Sequence, residues 1–179
     1  MMWGLVYDKY LDFCAEQTII TFRSLHICKL HYITNLSRDN VKSRKLQNSY
    51  QGSKFELTHC EGAIKSFEEA MTHVDPRKGK SFLRAIEMQI QRLVDGHRMS
   101  KENFPQEGEL PKRKGQQKAK KFNALKRIPI RGYCWLSDKY PHKYFISHYV
   151  YKDYDKLQEA DTKKVGANWT RIEVGNDEY

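Results

Sequence analysis

Cysteine is scarce in this chain. The four present among 179 residues (Cys14, Cys28, Cys60 and Cys134) are scattered, with no CxxC pair. Such spacing does not build a zinc knuckle. It outlines no disulfide framework either, so the thiols are expected to stay reduced in a cytoplasmic protein. Long apolar runs are missing as well. The most apolar N-terminal stretch, residues 18–33, is interrupted by Arg23 and Lys29, far short of the ~20 apolar residues of a spanning helix. Asp8 and Lys9 stand where the apolar core of a secretory signal would begin, so no membrane partner is expected. No His/Asp/Glu spacing resembles a metal site and no glycine-rich turn offers a phosphate cradle, so neither metal nor cofactor is expected.

Negative charge is absent from one stretch. Between residues 112 and 131 there are nine basic side chains (Lys112, Arg113, Lys114, Lys118, Lys120, Lys121, Lys126, Arg127 and Arg131) and no acidic one. The whole chain carries 32 Lys and Arg against 22 Asp and Glu, a formal net charge of +10, so most of the excess lies here. Such a block repels itself until a polyanion neutralises it, and release of counterions from a nucleic-acid backbone is the commonest route. The alternative is a solvated loop that only keeps the protein soluble.

A length of 179 residues accommodates one domain, or one domain with an extension. Residues 1–52 form an N-terminal extension without assigned function. Within it Tyr7, Tyr10, Leu11, Phe13 and Cys14 fit a helical face, and residues 38–52 have the polar, aperiodic character of a linker. From residue 53 the pattern sharpens. Residues 54–58 alternate as a short strand. Ala63, Ile64, Phe67, Ala70, Met71 and Val74 recur at helical spacing. Asp75-Pro76 then caps and opens a second helix carrying Phe82, Leu83, Ile86, Ile90, Leu93 and Val94, which stops at Gly96. A polar loop is predicted over 98–121, and a strand over 122–136 in which Pro129 marks an edge or bulge. A central strand over 144–151 and a helix over 161–174 complete the chain. The order predicts an α+β fold, with helices covering one side of an antiparallel sheet.

Three stretches, SFLRAIEMQIQRLVDG, FNALKRIPIRGYCW and YFISHYVYKDYDKLQEADTKKVGANWTRIE, carry a resemblance. In this order they resemble the RelE/ParE superfamily of bacterial toxin–antitoxin toxins, and within it the phage-derived HigB-like branch. The similarity spans residues 53–179. It implies a RelE-like fold: an antiparallel sheet on an N-terminal helical hairpin, with a C-terminal helix. It further implies a cytoplasmic endoribonuclease that cleaves mRNA, commonly on the ribosome. Such a toxin inhibits translation and is held inactive by a cognate antitoxin. Members need no metal; the ribose 2′-hydroxyl attacks the adjacent phosphate and leaves a 2′,3′-cyclic phosphate.

That reaction asks for a base, for cations facing the phosphoryl oxygens, and for an acid at the 5′-oxygen. Period-two spacing puts Arg127 and Arg131 on one face with Tyr133 and Trp135, a surface for phosphate and for base stacking; a bulge at Pro129 would change the parity. His148 has the pKa for proton transfer near neutrality. The same alternation groups it with Ile146 and Val150, so a core histidine is the competing reading. Lys152, Tyr154 and Lys156 follow in the turn where the matching family turn carries functional lysines; an ordinary charged turn is the alternative. The expected catalytic set is thus His148, Arg131, Lys152 and Tyr154. The expected RNA contacts are Lys112, Arg113, Lys114, Lys118, Lys120, Lys121, Lys126, Arg127 and Lys156. His59, Cys60 and Glu61 are neighbours in sequence, but adjacent strand residues point apart, which disfavours a Cys/His nucleophile pair. The competing function is a non-catalytic module on the same fold, either a gyrase poison of the ParE type or a ribosome-binding factor. A duplex-DNA regulator fits less well, because the predicted helices have apolar faces.

Overall fold

The alternation at residues 54–58 is realised as strand β2 (Glu56–His59), in a computed structural model that describes residues 45–113, 115, 117–152 and 156–175. Ahead of it, β1 (Ser49–Gln51) runs antiparallel to β2. Helices α1 (Ala63–Met71) and α2 (Pro76–Val94) follow, then strand β3 (Gln106–Glu109). A meander of β4 (Lys121–Arg127), β5 (Ile130–Leu136) and β6 (Lys143–Tyr151) leads to helix α3 (Glu159–Trp169), which passes into a π-helical turn over Thr170–Val174. The fold is α+β. Its six strands form one sheet in the order β1-β2-β6-β5-β4-β3.

The sheet is mixed, where an antiparallel one was expected. β6 pairs antiparallel with β5 on one side and parallel with β2 on the other. Its aromatic and β-branched composition calls for neighbours on both edges, and β2 supplies the second.

The helical hairpin forms as its caps dictate. Asp75 accepts a hydrogen bond from the Arg77 amide at 2.9 Å, and Pro76 occupies the first helical position. At the far end Gly96 takes φ +74°, a left-handed conformation that glycine adopts without steric cost. There the Gly96 and His97 amides turn back to the Leu93 and Arg92 carbonyls, which stops the helix.

Helices cover both faces rather than one. Phe67, Ala70, Ile86, Ile90 and Val94 from the hairpin pack with Leu57, Leu125, Ile130, Cys134 and Ile146. On the opposite face Val165, Trp169 and Ile172 cover Phe122, Ala124, Tyr133, Trp135 and Phe145. Since strand side chains alternate between faces, the sheet itself is apolar on both sides, and one helical layer could not have sealed it.

Three local expectations are corrected. Residues 122–136 are two strands, joined at Ile128–Pro129, a cis peptide, so that Arg127 pairs with Ile130. The polar loop over 98–121 contains edge strand β3, which pairs irregularly with β4. The stretch taken for a linker supplies β1 and the buried Leu46; residues 38–44 lie outside the described residues.

Candidate functional site

The turn at Ile128–Pro129 decides which cations meet. Because Arg127 pairs with Ile130 and Lys126 with Arg131, Arg127 belongs to the hairpin face and Arg131 to the α3 face. Arg127 lies 5.7 Å over the Phe82 ring of α2. The expected sharing of one face by Arg127 and Arg131 therefore fails. It treated 122–136 as one strand, whereas a two-residue reversal resets the parity.

A second irregularity places His148. Along β5 and β6 the partners step from Cys134↔Ile146 to Tyr133↔His148, leaving Ser147 as an extra residue. This bulge separates Ile146, which faces the hairpin, from His148, which joins Tyr133 on the α3 face. The expected grouping of Ile146 with His148 is corrected for that reason.

The α3 face thus gathers Arg131, Tyr133, His148 and Lys152 at one end, under the first turn of α3. Asp161 of α3 is the hub for Tyr133, His148 and Lys152. Its carboxylate lies 3.0 Å from Lys152 Nζ and 3.6 Å from His148 Nε2, and it accepts the Tyr133 hydroxyl at 3.3 Å. Lys152 Nζ also donates to the Tyr133 hydroxyl at 2.8 Å and to the Lys156 carbonyl at 3.0 Å. Beside them Glu107 of β3 lies 2.7 Å from Lys126 Nζ and 3.8 Å from Arg131 Nη1. Behind His148, Nδ1 is 2.9 Å from Ser147 Oγ, which takes a hydrogen bond from Asn168 Nδ2 at the same distance.

Burial governs the electrostatics. Arg131, His148 and Lys152 are only 2–3% exposed. Burial, helped by Lys164, pushes His148 down from its ordinary 6.5 to about 4, against the pull of Asp161. Burial, and then Asp161, raises the Tyr133 hydroxyl far above its ordinary 10. At neutral pH the cluster therefore holds a neutral imidazole and a protonated phenol beside Lys152 and Arg131.

Comparison with protein-family models, curated proteins and solved structures returns no match. The assignment of function consequently rests on the side chains.

Of the basic stretch, Lys126 and Arg131 reach this cluster through Glu107, whereas its described residues between 112 and 121 do not. Asp161 and Glu173 stand at opposite ends of the α3 segment, about 18 Å apart at a helical rise of 1.5 Å per residue. Glu173 is wholly buried and accepts Arg113 Nη2 at 2.6 Å, Trp135 Nε1 at 3.0 Å, and the Asp138 and Lys139 amides at 3.2 and 3.0 Å. Lys120 pairs with Asp138. Arg113 and Lys120 hence help fasten the β3–β4 connection, whereas Lys112, Lys118 and Lys121 are exposed at that end. The Tyr133 and Trp135 rings, expected to stack on bases, are buried; Trp135 stacks on Phe145 at 5.6 Å. Lys156 is exposed. Lys114 and Tyr154 lie outside the described residues. His59 and Cys60 point to opposite faces, His59 toward Tyr149 and Cys60 into the α3-side core.

Asp161, Glu107 and Ser147 were not singled out from sequence. Asp161 has a signal in hindsight, an acidic residue in the first turn of an amphipathic helix. Glu107 had none, since its strand carries no apolar alternation. No group of three or more His, Cys, Asp or Glu side chains suited to a metal ion occurs among the described residues. None of the described helices is long and apolar enough to cross a membrane.

Proposed function

We propose that this chain is a toxin of the RelE/ParE type, HigB-like, that cleaves mRNA on the ribosome without a metal and so inhibits translation. The RelE-like arrangement, a cognate antitoxin and a cytoplasmic location belong to the same reading. The carrying observation is the convergence of Tyr133, His148 and Lys152 around Asp161, with Arg131 on the same sheet face beside Glu107. Neutral imidazole suits a base for the 2′-hydroxyl. Arg131 and Lys152 suit the growing phosphoryl charge, and a protonated group suits the departing 5′-oxygen. The strand–helix–helix–meander–helix order and the exposed lysines of the β3–β4 connection support it. In this reading RNA reaches the cluster when the first turn of α3 lifts from the sheet. That frees Lys152 from Asp161 and returns water to His148, which raises its basicity.

The test is incubation of the full chain with translating ribosomes and mRNA, with and without chelator, followed by mapping of RNA ends. Cyclic-phosphate ends that survive chelation, and are lost in His148→Gln and Lys152→Met, are expected. Intact mRNA with unimpaired translation overturns the proposal. The burial of Arg131, His148 and Lys152 favours a second reading, a non-catalytic binding module in which the cluster only supports the fold. Arrest of translation or poisoning of gyrase without new RNA ends would establish that reading instead.

A further inference from the structure

On the hairpin face, away from the Asp161 cluster, the C-terminal half of α2, the 98–103 segment and the end of β4 enclose a cleft. Arg92, Arg98 and Arg127 line it together with Met88, Met99 and Gln89, and no acidic side chain does. We propose that this cleft holds the phosphodiester backbone of a single-stranded polynucleotide, RNA in the functional reading above, as a contact site separate from the Asp161 cluster. The identity of the strand as mRNA rests on that reading; the phosphate contact does not.

Three arguments lead there. Arginine presents a planar fork of donors that matches phosphate oxygens, and three of them around a concavity without a carboxylate select a polyanion over a cation or basic peptide. The space, about 360 Å³, is at the small end of ligand sites. A space of that size suits an extended strand. The wall is also preset: Gln89 Nε2 donates to the Lys126 carbonyl at 2.9 Å, and Arg127 lies over Phe82. Both contacts hold the Arg127 backbone and guanidinium in place before any ligand arrives. Met88, 65% exposed, lines the cleft with the arginines and offers apolar surface suited to a base or ribose face.

Because Arg127 and Arg131 flank the same two-residue turn on opposite faces, a strand that leaves this cleft around the turn would reach Arg131. The cleft is then the positioning half of a bipartite site.

The experiment measures binding of short fluorescent RNA and DNA strands of one sequence to the full chain by anisotropy, across roughly 50–200 mM salt. Arg92→Ala, Arg98→Ala and Arg127→Ala combined should weaken binding about tenfold or more, and lower the salt dependence by about two units of slope at 0.7 per phosphate contact. Met88→Glu, at an exposed position, should weaken binding several-fold while leaving the melting temperature unchanged. Wild-type affinity and slope in the triple variant overturn the proposal. So does the absence of polynucleotide binding by the wild type, or displacement of RNA by a polyglutamate peptide at lower concentration than by unlabelled RNA. Preference for RNA over DNA names RNA as the source; equal binding supports the phosphate contact and removes its tie to mRNA. Loss of binding in the arginine variants of a chain that yields no cyclic-phosphate ends upholds the cleft and refutes the nuclease. Normal binding by variants of a chain that does yield them refutes the cleft alone.

Discussion

Acid should unfold this protein through two histidines before its carboxylates titrate. His148 and His59 are 2% and 5% exposed, and each is pushed from 6.5 to about 4, chiefly by burial. His148 faces Lys164, Lys152 and Asp161; His59 Nε2 sits 2.8 Å from the Tyr149 hydroxyl. A folded pKa below the unfolded one means that the unfolded chain binds protons first. The stabilisation from neutral imidazole is thus fully present above pH 6.5 and is lost as pH falls through the window down to 4. Linkage gives each histidine a loss of about 2 kcal/mol at pH 5 and about 3 kcal/mol at pH 4. Urea unfolding followed by tryptophan fluorescence should show the wild type about 4 kcal/mol less stable at pH 5 than at pH 7.5. His148→Gln removes one titrating group, so its loss over that window should be about 2 kcal/mol whatever its stability at neutral pH. A His148→Gln profile parallel to the wild type from pH 7.5 to 5 would show that His148 is hydrated in the folded state, and the account of the sealed cluster would fall with it.

Asp161→Asn should cost about 3–5 kcal/mol, the usual penalty for leaving a buried ammonium without its carboxylate. Adding Lys152→Met should restore much of that loss, and a double-mutant cycle by thermal melting would measure the coupling. Gly132→Ala should destabilise by about 1–3 kcal/mol, the range for overpacking a tight interior, because its methyl would sit 2.6 Å from the Tyr149 ring. A neutral result in chemical denaturation would mean that Tyr149 can swing away.

The helices were legible because their signals are local. Asp75-Pro76 and Gly96 mark α2 within the chain itself, and the apolar positions of α1 and α2 repeat at the period of a helix. The strand segments β2, β4, β5 and β6 were legible by composition, although β4 and β5 read as one strand and β1 and β3 carried no such signal; β6 was correctly placed at the centre. Their faces were not. Ile128–Pro129 carries no glycine or asparagine to announce a two-residue reversal, and Ser147 is an unremarkable polar residue in an aromatic strand. Each displaces the alternation by one, and a displacement of one exchanges the faces of every residue that follows. So Arg127 left the expected site while His148 entered it.

What the sequence determined by itself was the α+β class, the helical hairpin with its caps, and the concentration of positive charge between residues 112 and 131. All three follow from neighbours along the chain. Only the tertiary structure decided that β2 would lie parallel to β6, that α3 would seal the second face, and that Asp161 would gather Lys152, His148 and Tyr133 beneath it. Those outcomes depend on which distant segments share a rung of the sheet, and a turn or a bulge one residue long sets that register without leaving a periodic trace.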